Sequence, residues 1–191
     1  ENLSLEPISI YNKAKMVAER ILLSYSDKIN ISIIRPATVC GISSRMRFDV
    51  SVNMLTYQAL KNKKITVFGG NQVRPNIHID DLVDLYIFFL KNSKRLNGVF
   101  NAGFENLSIK QIAKNISKEI KSKIIFLKNT NDKRSYRVDS SKLKSVGFKP
   151  KKNVMIAIRE LKKYFNEQSI KKINENSFSI DWLKKKKIFK K

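Results

Sequence analysis

The sequence of 191 residues predicts an α/β fold with parallel strands, and three observations carry that prediction. Apolar residues recur at helical spacing over residues 8–26. A β-branched run follows at 31–35 and is closed by Pro36, and short strand-like runs then alternate with amphipathic stretches to about residue 165. A run that is apolar throughout, rather than alternating, reads as a strand buried in a parallel sheet.

Each element follows from its own residues. In the first helix Ile8, Tyr11, Val17, Ala18, Ile21, Leu22 and Tyr25 carry the helical period, with Pro7 at the start, where proline is tolerated. Asp27 and Lys28 break the pattern before the strand. Residues 42–49 are mixed in composition and contain Arg45 and Arg47, which predicts a long loop, and a helix follows over 50–61. Ile65-Thr66-Val67-Phe68 is a short strand ending in the Gly69-Gly70 turn, and 73–79 is a second extended stretch containing Pro75. Asp80 and Asp81 precede Leu82, Val83, Leu85, Tyr86, Phe89 and Leu90, which predicts a helix capped by a carboxylate. Residues 98–102 form a strand, Ser108 caps a helix carrying Ile109, Ile112, Ala113, Ile116 and Ile120, and 123–127 is a short strand. A polar loop over 128–134 leads to a short helix closed by Gly147, and the last helix spans 153–165. Beyond Asn166 the pattern fades into a basic tail with Trp182 ahead of it, read as solvated.

Composition narrows the function. Lys+Arg number 39 against 16 Asp+Glu, a formal net charge of +23, yet 42% of residues are hydrophobic, enough for a core. Lysine carries most of that charge, which suits solvated surface better than a surface built to read phosphates. Cys40 is the single cysteine, which excludes a disulfide scaffold and points to a reducing, cytoplasmic compartment. His78 is the single histidine, so a Cys/His metal cluster is excluded and no metal is expected. No apolar stretch approaches the roughly 20 residues of a membrane-spanning helix.

Tyr11 and Lys15 stand four residues apart, so a helix projects both from one face. A phenol is a poor base at neutral pH, and a cation beside it favours the phenolate, giving a group able to accept or return a hydroxyl proton. The pattern alone is equally that of a surface pair. Around it stand Ala18-Glu19, then Ile34-Arg35-Pro36-Ala37-Thr38-Val39-Cys40-Gly41, Arg47-Phe48-Asp49-Val50-Ser51-Val52-Asn53, Ile65-Thr66-Val67-Phe68-Gly69 and Arg74-Pro75-Asn76-Ile77-His78-Ile79-Asp80-Asp81. Asp132-Lys133-Arg134-Ser135-Tyr136-Arg137-Val138-Asp139 and Val146-Gly147-Phe148-Lys149-Pro150 complete the series. In this order it resembles the extended short-chain dehydrogenase/reductase family, in particular its NAD-dependent nucleotide-sugar epimerases and dehydratases, over roughly residues 1–165.

The resemblance implies roles residue by residue. Tyr11 would be the catalytic acid/base at a sugar hydroxyl, and Lys15 would hold the nicotinamide ribose and favour the Tyr11 phenolate. Pro36, Ala37, Thr38 and Val39 would pass close to the cofactor, which is NAD ahead of NADP. Asn53 would reach the diphosphate or sugar, and Ile65 to Val67 would line the nucleobase through main-chain groups. Arg74, with Arg134 or Arg137, would hold the diphosphate, a task suited to the planar guanidinium fork. Read alone, Arg74 and Arg134 are surface cations, His78 a structural hydrogen-bonding residue, Asp80 and Asp81 helix caps, and Cys40 a packing residue. Ala14 departs mildly from the Ser or Thr common in the family.

The family's Gly-rich cofactor turn, G-x-x-G-x-x-G, does not occur in this sequence. The Ser or Thr that the family places ahead of the tyrosine is missing as well, so the chain is expected to be the C-terminal part of a longer enzyme and inactive by itself. The implied organisation is the C-terminal part of a Rossmann-like parallel-sheet domain in 1–41, with strand and helix from 73–103, plus a small α/β substrate-binding domain in 42–72 and 104–165, and a tail in 166–191. The expected reaction is Tyr-assisted hydride transfer from a sugar hydroxyl to NAD and back on a nucleotide sugar, in a homodimer when full length, with no specific nucleic acid and no membrane span. The alternatives are a basic module binding nucleic acid or anionic membrane, and an inactive remnant of the enzyme.

Overall fold

A computed structural model of the chain describes residues 1–191 apart from 2, 3, 5, 8, 129–133, 168–176, 179–181, 183, 184 and 187–191. Ile8, most of the loop at 128–134 and most of the tail beyond 166 therefore lie outside the described residues.

The first helix, α1 (Ile10–Leu23), starts at Ser9, whose hydroxyl accepts from the Asn12 amide at 3.2 Å, and gives way to turns before the predicted end at 26. No residue of α1 is buried; Val17, Ile21, Leu22 and Tyr25 are exposed. An ion pair between Glu19 of the helix and Arg35 ties it to β1 (Ser32–Pro36). As predicted, β1 is parallel: it runs beside β5 (Gly98–Ala102), with Ile34 opposite Phe100. It is not fully buried, however. Among the described residues it pairs with β5 on one side alone, and an apolar groove runs along it.

Two short strands escape the sequence reading. β2 (Thr38–Cys40) and β6 (Glu105–Ser108) flank β4 (Val73–His78), the first parallel and the second antiparallel to it. Runs this short carry too little periodicity to be seen, and pairing with β4 is what makes them strands. β3 (Lys64–Phe68) pairs in parallel with β7 (Lys123–Leu127).

The helices match their sequence signals closely. They are α2 (Ser51–Asn62), α3 (Ile79–Lys91), α4 (Ile109–Ile120), α5 (Ser141–Ser145) and α6 (Val154–Glu167). Ser108 caps α4 in a reciprocal box with Gln111. The cap of α3 is a correction. His78, not an aspartate, holds the N-cap position, and its Nδ1 accepts from the Asp80 amide at 3.1 Å. The Asp81 carboxylate turns instead to the chain ahead of α6, accepting from the amides of Lys151 at 2.9 Å and Lys152 at 3.0 Å.

Two apolar clusters hold the elements. One joins α2, α4, α6 and β3 through Leu55, Ile65, Ile112, Ile116, Ile158 and Leu161. The other joins α3, β4, β5 and α5 through Ile77, Leu85, Phe89, Phe100 and Leu143. Each fully buried Leu or Ile contributes about 1.5–3 kcal/mol by leaving water. Among the described residues no helix is long and apolar enough to cross a membrane.

Candidate functional site

Segments far apart in sequence meet at a cavity of about 400 Å³. Its wall takes Thr38 from β2, Arg47 and Asp49 from the loop ahead of α2, Thr66 to Phe68 from β3, Arg74 from β4, and Arg134 and Tyr136 from the chain after β7. Among the described residues this lining carries three guanidinium groups, of Arg47, Arg74 and Arg134, and one carboxylate, of Asp49. Val50 and Ser51 also line it; Val50 is the N-cap of α2 and supplies no side-chain hydrogen bond there. An uncapped helix start offers backbone amides to an anion.

The wall is rigid for local reasons. Arg74 is 8% exposed and its Nη1 donates to the Val73 carbonyl at 2.9 Å and to the Arg134 carbonyl, joining two cationic residues of the site. After β3 the chain turns through Gly70 at φ 115°, where a Cβ would stand 3.2 Å from Val67 Cγ1. Gln72 spans this turn, accepting from the Gly70 amide at 2.6 Å and donating to the Phe68 carbonyl at 2.8 Å.

A second cleft, of about 360 Å³, lies between α1 and the end of β1, with Lys15, Glu19, Arg35 and Pro36 in its lining. Tyr11 is exposed, and the Lys15 Nζ lies 5.8 Å from its ring centroid. Arg47 lines the first cavity. Its pKa is raised above the ordinary value first by the hydrogen bonds it donates to Asp49, and the Tyr11 phenol adds a smaller contribution.

Thus the structure brings Thr38, Val67, Arg74 and Arg134 into one cavity and Lys15 and Pro36 into the neighbouring cleft. It does not bring the others there by their side chains. Asn53 is buried, accepting from the Gly41 amide and donating to the Gly41 carbonyl, which anchors the start of the 42–50 loop. Ile65 is fully buried in the first apolar cluster. Ala37 donates its amide to the Ala102 carbonyl, Val39 packs on the second cluster, and Arg137 is exposed outside the cavity lining. The lining also includes Arg47, Asp49, Phe68, Gln72 and Tyr136, to which the sequence reading assigned no role.

Two further groups have structural explanations. Burial, with the charges of Glu105, Glu160 and Asp81 adding to it, pushes the Cys40 thiol up to about 12, leaving a packing residue without thiolate character. His78, Asp80 and Glu160 cluster closely enough to suggest cation ligands. The Lys152 ammonium already bridges both carboxylates at 2.6 Å each, and His78 Nε2 lies 2.9 Å from Glu160.

Comparison with known proteins places these observations. Residues 1–103 match the family described as the NAD dependent epimerase/dehydratase family. A UDP-glucose 4-epimerase of Lactobacillus helveticus is 30% identical over 180 residues, covering 79% of this chain and 53% of that protein. The structure of a UDP-glucuronic acid 4-epimerase from Bacillus cereus, in complex with UDP-glucuronic acid and NAD, superposes with a TM-score of 0.73 at 29% identity. That match covers 87% of this chain and 55% of the other. A UDP-N-acetylglucosamine 4-epimerase from Bacillus cereus, 24% identical with a TM-score of 0.75 over 88% of this chain and 58% of the other, shares the fold. The chain spans about half the length of these relatives.

Proposed function

The chain belongs to the NAD dependent epimerase/dehydratase family, and from that premise we propose that its arginine-lined cavity binds a nucleotide sugar whose sugar end lies toward Tyr11. The reading rests above all on one observation, the meeting of Thr38, Val67, Arg74 and Arg134 in a single cavity. Arg74 and Arg134 with the start of α2 would hold the diphosphate, by charge and by amides directed at its oxygens. The β3 residues Thr66 to Phe68, with Tyr136 opposite, would take the base. The two apolar clusters support a division into a cofactor part, 1–41 with 73–103, and a substrate part, 42–72 with 104–165; α5 packs on the cofactor side.

NAD, when bound, supplies an acceptor for the sugar's hydride and a donor for its return. The donors present fit its nicotinamide end: Lys15 carries an ammonium with three N–H groups, suited to ribose hydroxyls, in the same cleft as Pro36. Pro36 to Val39 would flank that end. The chain contains no Gly-rich turn, so these residues account for that end alone. Tyr11 Oη would take the proton of the reacting hydroxyl and return it. Homodimerisation through the exposed face of α1 completes the reading; its apolar residues Val17, Ile21 and Leu22 support it.

Calorimetric titration of the chain with UDP-glucose tests the cavity. We expect saturable binding, weakened about tenfold or more in Arg74→Ala by loss of a charge-assisted contact, and changed by less than about twofold in Tyr11→Phe, which removes a single hydroxyl. Absence of binding by the unaltered chain would refute the reading.

A further inference from the structure

Beyond α6 the chain is not all solvated tail. Ser177 is 7% exposed, and Phe178 packs on the first apolar cluster. The Phe178 ring centroid stands 5.8 Å from that of Phe48 and 5.9 Å from that of Tyr57, the latter edge-on. Phe48 and Tyr57 are 5.1 Å apart and meet Phe165 at 5.7 and 6.2 Å, so one group of rings ties the C-terminal segment to α2 and α6. The backbone adds to this. The Ser177 carbonyl accepts from the Phe48 amide at 2.9 Å, and the Trp182 amide donates to the Phe178 carbonyl at 2.9 Å across one helical turn.

Phe48 is where these contacts reach the cavity. It is 2% exposed, and the residues on either side of it, Arg47 and Asp49, line the cavity. Residues 42–50 form neither helix nor strand, so no ladder of backbone bonds fixes their path. Burial of Met46 and Phe48 and single hydrogen bonds fix it instead. Phe178 itself stands outside the cavity lining. We propose that Ser177 and Phe178 form a strap that holds this wall of the cavity in place, with Phe178 a positioning residue for the ligand bound there. Without the Phe178 ring, Phe48 and Tyr57 lose a packing partner and the loop samples further conformations, which a ligand must order again on binding. The consequence for affinity rests on the cavity being the nucleotide-sugar site; the hold on the loop does not.

Amide hydrogen exchange followed by NMR, together with calorimetric titration of UDP-glucose, tests the strap in the whole chain. In the unaltered chain the Phe48 amide should exchange slowly. Phe178→Ala should speed it about tenfold or more relative to the Ile158 amide of α6, and should weaken UDP-glucose binding about three- to tenfold. Phe178→Leu keeps an apolar body and should restore both to within about twofold of the unaltered chain. Ile116→Val loosens the same cluster away from the loop; it should lower the melting temperature and leave UDP-glucose binding within about twofold. The proposal falls if Phe178→Ala leaves Phe48 exchange unchanged relative to Ile158, or if UDP-glucose binds that variant as tightly as it binds the unaltered chain. It falls as well if Ile116→Val weakens UDP-glucose as much as Phe178→Ala does. Should the unaltered chain fail to bind UDP-glucose while Phe178→Ala still frees the Phe48 amide, the nucleotide-sugar reading is refuted and the strap stands.

Discussion

Asp81 shows how much one carboxylate can hold together. It is 1% exposed and accepts two backbone amides, so removing it leaves both donors unpaired between α3 and the chain entering α6. We expect Asp81→Ala to lower stability by about 3 kcal/mol, the range for buried hydrogen bonds to a charged acceptor, as read from urea denaturation. Glu105 runs the other way. Burial holds its carboxyl above the ordinary value of 4.5, against the lowering effect of the Val154 amide that it accepts. A carboxyl raised in the folded state favours folding most when protonated, so its contribution is complete below 4.5 and is lost as pH rises through the folded-state value. Glu105→Gln keeps an acceptor without the charge. Its melting temperature should therefore exceed that of the unaltered chain at about pH 7, and the difference should shrink toward about pH 4. An equal difference at both ends would contradict the assignment.

At the scale of elements, the turn between β3 and β4 couples local conformation to the cavity. Gly70 adopts a φ of 115°, and an added Cβ would also meet Lys110 Cβ at 3.4 Å. Gly70→Ala should cost about 1 kcal/mol or more and displace the Gln72 bridge, weakening nucleotide binding as well as the fold. Retained stability with retained binding would show that the turn can relax. Helix starts and stops were legible in the sequence where one residue carries the signal. Ser108 with Gln111 specifies its own cap, and the apolar spacing of 109–120 specifies the buried face. The cap of α3 was not legible. A histidine is an unusual cap, and two aspartates beside it satisfy the usual pattern; only the chain at 151–152, brought in from far away, draws Asp81 off the helix end.

For the molecule as a whole, one open apolar surface is the outer face of α1 with the turn after it, where Val17, Ile21, Leu22 and Tyr25 are all between 47% and 56% exposed. If two copies pair there, sedimentation velocity should show a dimer at about micromolar concentration and a monomer for Ile21→Lys, with little change in melting temperature, because Ile21 buries little within one copy. A monomer at all concentrations would exclude the pairing. The large positive charge predicts no such surface; lysines carry most of it, whereas the cavity is lined by three arginines.

The sequence by itself determined the α/β class, the order of the main helices and strands, and the family, because these depend on periodicity, caps and motifs carried within short stretches of chain. It also placed Tyr11 and Lys15 on one helix. Tertiary structure alone decided which residues share the cavity. Asn53 and Ile65 turn into the protein because Gly41 and the first apolar cluster claim them, whereas Arg47 turns outward because Met46 and Phe48 are drawn into the core on either side. The direction of a side chain in a loop is set by what its neighbours bury, and those partners come from elements that the local sequence does not contain.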